Sequence, residues 1–153
     1  MNDLDQMYQQ IILDAAKERH GEGQLVDADG ESFQVNTTCG DQATMRVMLS
    51  QDGKRLEKAA WEGEGCSISQ ASLSIMHDLV EGKSLAEVEE LYEAFRHMMD
   101  NRGADIDDDL ADLLDDASAF QGVSKFPMRI KCALLGWMAL RDATDQAQTI
   151  KHQ

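Results

Sequence analysis

The chain has 153 residues, enough for one compact domain with a real core, and a formal net charge of -15. That charge repels nucleic-acid phosphates and anionic membranes, so it argues against both as partners and for docking on a protein with a basic patch. Hydrophobic residues make up 42% but aromatics only 5%, so the core must be built from Leu, Ile, Val, Met and Ala.

The first segment, Asp3 to Arg19, puts Leu4, Met7, Tyr8, Ile11, Ile12, Ala15 and Ala16 on one face, the spacing of an amphipathic helix. Gly21 and Gly23 end it. A strand is expected over Gly30 to Val35. Met45, Val47 and Leu49 then alternate with Thr44, Arg46 and Met48, a strand period. Asp52-Gly53 is a hairpin turn signal, and Arg55 to Glu62 reads as the return strand, ending at Gly63 and Gly65.

From Ser67 the pattern is helical. Ile68, Ala71, Ser72, Ile75, Met76 and Leu79 share a face, and Gly82 closes the element. Ser84 to Glu87 forms a capping box for a helix burying Leu85, Val88, Leu91, Tyr92 and Phe95. A short acidic helix is expected from Ile106 to Ala117, with Leu110, Leu113 and Leu114 inward. Pro127 suits the first turn of a last helix carrying Ile130, Leu134, Trp137, Met138 and Arg141, with a polar, frayed tail beyond Asp145. Strands first and helices after make an α+β plan: a small antiparallel sheet of three strands against five or six helices, in a single domain over 1–153.

The candidate chemistry lies with Cys39, Cys66 and Cys132, if the three converge. No apolar run reaches the roughly 20 residues of a membrane span, and Met1 to Gln10 lacks the plan of a signal peptide. A cytoplasmic setting is therefore expected, where an odd number of reduced thiols points to metal or sulfur chemistry rather than disulfides. Cys39 and Asp41 flank Gly40 in a turn that lets both side chains face one point. Cys66 immediately precedes a helix, whose positive end favours thiolate. Cys132 falls early in the last helix, close in sequence to Lys125, Arg129 and Lys131, cations that would offset a thiolate cluster if they pointed inward.

Three thiols and a carboxylate suffice for a tetrahedral zinc or a small iron–sulfur unit. The carboxylate is the harder donor, so the site should be exchangeable rather than inert. The competing reading is that the cysteines are small buried hydrophobes, since there is no CxxC pair. His20, His77, His97 and His152 lie beside no cysteine and are read as packed or solvated. Asp105, Asp107, Asp108 and Asp109 lack the glycine and distal glutamate of a calcium loop and read as a solvated face. Arg129 is expected either in an ion pair or balancing charge at the cysteines.

Three blocks sharpen this: Asn36-Thr37-Thr38-Cys39-Gly40-Asp41, Gly63-Glu64-Gly65-Cys66-Ser67-Ile68-Ser69, and Arg129-Ile130-Lys131-Cys132-Ala133-Leu134-Leu135-Gly136-Trp137. In content and order they resemble the signature blocks of the IscU/NifU-like iron–sulfur cluster assembly family, and the likeness runs from the first helix to about Asp142. Within that family the chain resembles the SufU branch. Lys131 stands where IscU-type scaffolds have a histidine directly before the third cysteine, and Arg102 to Val123 looks like the extra segment of SufU-like members. The resemblance implies a SufE/NifU-like fold and one zinc held by Cys39, Asp41, Cys66 and Cys132. It also implies a zinc-dependent sulfurtransferase in which Cys39, released from zinc, accepts persulfide sulfur from a SufS-type cysteine desulfurase and passes it to downstream iron–sulfur assembly proteins. The alternative is a scaffold for a labile [2Fe-2S] cluster, for which the residue at Lys131 is a missing ligand.

Overall fold

The computed structural model describes residues 3–151; His152 lies outside the described residues. In chain order the elements are α1 (Asp3–Glu18), β1 (Gly30–Asn36), β2 (Asp41–Leu49), β3 (Leu56–Glu64), α2 (Ser67–Val80), α3 (Leu85–Asp100), α4 (Asp108–Leu114), a 3-10 helix (Asp115–Lys125) and α5 (Pro127–Lys151). This is the expected α+β arrangement. The strands form one antiparallel sheet in the order β1-β2-β3. None of the helices is long and apolar enough to cross a membrane, among the described residues.

Strand alternation sets the layers. Ala43, Met45, Val47 and Leu49 of β2 all point to the buried face, and Met45 pairs with Trp61 of β3. α5 lies across that face beneath β1 and β2, with α2 beside it, and α1, α3 and the 3-10 helix pack outside them. Sandwiched this way, α5 is buried through its middle, from Cys132 and Ala133 to Trp137, Leu140 and Ala143. Trp137 stacks on Phe95 of α3 at 5.0 Å between centroids, and Phe120 meets Phe95 edge-on at 5.8 Å. The capping box of α3 is present in full: Ser84 accepts from the Glu87 N–H, and Glu87 accepts from the Ser84 N–H.

Several expectations change. Leu4 and Met7 are about half exposed at 48% and 51%, because only the second half of α1, through Ile12 and Ala15, finds a partner in α2. Leu113 and Met138 also face solvent rather than the core. The acidic helix stops at Leu114, where Asp115 takes a positive φ of 49°, and the chain continues as a 3-10 helix that buries Ala117, Ala119, Phe120 and Val123. The tail past Asp145 is not frayed: α5 runs on to Lys151, and Ala143 and Ala147 pack against Gly30 at the start of β1.

Candidate metal centre

The site forms where the β1–β2 turn, the start of α2 and the second turn of α5 meet. β1 ends at Asn36 and β2 begins at its register partner Asp41. Cys39 therefore rides on a tight turn, closed by the Gly40 N–H donating to the Asn36 carbonyl at 2.9 Å, with Gly40 in the left-handed region at φ 74°. The Asn36 side chain accepts from the Thr38 N–H at 3.3 Å and sends its amide toward the Cys132 sulfur, 3.9 Å away.

Asp41 lies in β2 rather than in the turn. Strand alternation drives its side chain to the buried face, where it is fully inaccessible. Cys66 is the N-cap residue of α2, and its N–H donates to Asp41 Oδ1 at 2.9 Å. Cys132, 2% exposed, points inward from α5 and its thiol donates to the Met128 carbonyl at 3.6 Å. Cys39 and Cys66 are exposed.

The ligand atoms of Cys39, Asp41 and Cys132 all lie within 4.8 Å of one another. Cys66 falls outside that tight group but its thiol borders Cys132. Burial pushes the Cys132 thiol above its ordinary range, and the nearby side chains of Asp41, Cys39 and Cys66 add to the effect. Cys132 is thus a thiol that keeps its proton until a cation competes for the sulfur.

Two observations show that these residues fit a metal ion. Asp41 Oδ2 is buried and has no hydrogen-bond partner among the described residues. A buried carboxylate oxygen left unpaired costs about 1–3 kcal/mol or more, which a cation would offset. Gly65, at φ 150°, is also cut to the carboxylate: a Cβ there would sit 2.2 Å from Asp41 Oδ1. The mixed soft and hard donor set suits zinc.

The cations near Cys132 in sequence do not turn inward. Lys125, Arg129 and Lys131 are all exposed, and Arg129 lies over the Phe126 ring at 4.9 Å and forms no ion pair among the described residues. His20 and His77 engage carboxylates: His20 bridges Glu18 and Asp78, and His77 contacts Asp78 and Glu81. Asp107 caps α4 by accepting from the Leu110 N–H at 2.7 Å. The sequence assigns no role to Arg19 and Gln70, nor to Asn36 and Ser69 beyond their place in the blocks. The available signal was the run of polar residues Ser69, Gln70, Ser72 and Ser74 at core positions of α2, all buried.

A small three-stranded sheet roofed by helices, with thiols and one buried carboxylate gathered at the end of its first hairpin, defines a candidate thiol–carboxylate metal centre on an α+β scaffold. Residues 7–133 match the NifU-like N terminal domain, and the chain belongs to that family. The zinc-dependent sulfurtransferase SufU of Bacillus subtilis is 42% identical over 137 residues, 90% of this chain and 88% of that protein. The iron–sulfur cluster assembly scaffold protein IscU of Streptococcus pyogenes is 36% identical, over 99% of this chain and 91% of its own. The crystal structure of a candidate iron–sulfur cluster assembly scaffold protein for the SUF system, from Fervidobacterium islandicum, superposes with a TM-score of 0.79 at 31% identity, covering 91% of this chain and 97% of that one.

Proposed function

We propose that this chain is a zinc-dependent sulfur acceptor that takes persulfide sulfur from a cysteine desulfurase for iron–sulfur cluster assembly. Cys39, Asp41, Cys66 and Cys132 would hold the ion in a single NifU-like domain working in the cytoplasm. The observation that carries the reading is the unpaired, buried Asp41 Oδ2 among the thiols, with one of those thiols, Cys39, exposed on a turn. The kinship with the Bacillus subtilis sulfurtransferase supports it.

The bound zinc would supply positive charge that favours thiolate over thiol and shields the sulfurs from oxidation. The residues do the rest. Cys132 is buried in the second turn of α5, and Cys66 caps α2 with its N–H on Asp41. Cys39 sits on a four-residue connection between two strands and faces solvent, where a partner's persulfide can reach it. Its thiolate attacks the outer sulfur of the desulfurase persulfide. The S–S bond there breaks, the desulfurase cysteine leaves as thiolate, and Cys39 carries the persulfide.

A desulfurase assayed with and without this protein should turn over much faster in its presence, with the stimulation lost in Cys39→Ala. Full stimulation by Cys39→Ala would end the transfer reading. The scaffold alternative is favoured by the kinship with IscU of Streptococcus pyogenes. It would show as a brown protein, isolated without oxygen, that donates its cluster to an apo acceptor. Lys131 before Cys132 weighs against it.

A further inference from the structure

A line of polar side chains runs from the C-terminal end of α1 to Asp41. Arg19 is wedged against the core: its guanidinium lies over the Trp61 ring at 4.9 Å, Nη2 donates to the Gly63 carbonyl at 3.0 Å, and it pairs with Glu22. Nη1 donates to Gln70 Oε1. With Oε1 committed to Arg19, the Gln70 amide has one orientation left, and Nε2 donates to Ser69 Oγ at 3.3 Å. Ser69 Oγ in turn lies 3.4 Å from Asp41 Oδ1 and 3.0 Å from the Cys66 carbonyl. Ser69 and Gln70 are 1% and 5% exposed, so water does not replace these contacts.

We infer that Ser69 and Gln70, locked by Arg19, are positioning residues of the metal centre. Together with the Cys66 N–H, which donates to Asp41 Oδ1 at 2.9 Å, and with the one Ser69 hydroxyl proton shared between Oδ1 and the Cys66 carbonyl, they keep Oδ1 occupied and leave Oδ2 as the free ligand oxygen. The inference rests on the proposed reading of the centre as a metal site. A carboxylate otherwise rotates about its last torsion and presents either oxygen, and each donor placed on Oδ1 removes that freedom. Outer contacts of this kind typically change metal affinity by about 10–100-fold when removed.

The test uses Ser69→Ala, which removes the hydroxyl, and Gln70→Glu, which keeps the shape and the Arg19 contact but deletes the N–H. Zinc affinity is measured by competition with a chromogenic chelator, coordination by the visible spectrum of the cobalt-loaded protein, and the fold by thermal unfolding of the metal-free protein. The expected result is zinc binding weakened about 10–100-fold and an altered cobalt spectrum, with metal-free unfolding close to wild type. If Ser69→Ala does not fold, Gln70→Glu decides. Zinc affinity within twofold of wild type, or a loss that only parallels metal-free instability with an unchanged cobalt spectrum, overturns the inference. A wild-type protein that takes up no zinc or cobalt would overturn the reading beneath it, whereas zinc uptake without desulfurase stimulation would end the sulfur-acceptor proposal and leave this inference standing.

Discussion

Gly65 shows how a single missing side chain can shape a centre. Its φ of 150° suits glycine, and the space a Cβ would need is already taken by Asp41 Oδ1 at 2.2 Å and Ser69 Oγ at 2.8 Å. Gly65→Ala must move either the carboxylate or the Cys66 loop. The expected outcome is less than half the wild-type zinc per chain and a stability loss of about 1–3 kcal/mol, by metal analysis and denaturant unfolding. A Gly65→Ala protein with full zinc content would show that the carboxylate is not held as described. At this scale much of the chemistry could be read from the sequence. The three cysteines and Asp41 stood out by type and by their blocks, and Cys39, Asp41 and Cys132 do meet. Nearness in sequence to Cys132 did not show where the cations go: Arg129 and Lys131 are both exposed, and Arg129 lies over the Phe126 ring.

Among the elements, the junction of α1 with α2 carries a pH dependence. His20 sits just past α1 and bridges Glu18 and Asp78 of α2; hydrogen bonding to Asp78, opposed by desolvation and aided by charge, raises its pKa above the ordinary value of 6.5. A raised histidine stabilises the fold fully below the unfolded value, and that contribution disappears as pH rises through the folded value. The stability gap between wild type and His20→Gln should therefore be widest below about pH 6.5 and shrink toward alkaline pH. Denaturant unfolding at several pH values checks this, and a gap that widens with pH would contradict it. The main-chain links of His20, to Ser74 Oγ and Trp61 Nε1, do not depend on the side chain and should persist. Periodicity revealed the strands, α2, α3 and α5 well. The 3-10 helix was missed because its tighter turn breaks the helical spacing, and its start at Asp115 depends on a positive φ that no residue there advertises.

Across the whole molecule, the centre ties three separate elements together: the first hairpin, α2 and α5. A cation bound to the folded state but not to the unfolded chain adds stability by mass action, about 2.7 kcal/mol at a hundredfold excess over Kd. For a chain of this size that corresponds to a Tm about 5–10 °C higher than after chelation. Thermal unfolding with zinc and with chelator tests it; equal Tm values would mean that no such linkage exists. The net charge of -15 adds self-repulsion that makes this link between elements more valuable.

The sequence by itself determined the α+β order of elements, the family, and the candidate ligands, three of which, Cys39, Asp41 and Cys132, meet in the fold. Those depend on local spacing and on residue type, which the chain carries directly. Only the tertiary structure decided which atoms converge. It put Asp41 inside a strand with one oxygen unpaired among the described residues, laid Arg129 over the Phe126 ring, and connected Arg19 to Asp41 through Gln70 and Ser69. Backbone periodicity sets which face of its own element a side chain occupies. The distance between faces of different elements is set by how they pack, and residues 22 to 51 positions apart, such as Arg19, Asp41 and Gln70, meet only once the core has formed.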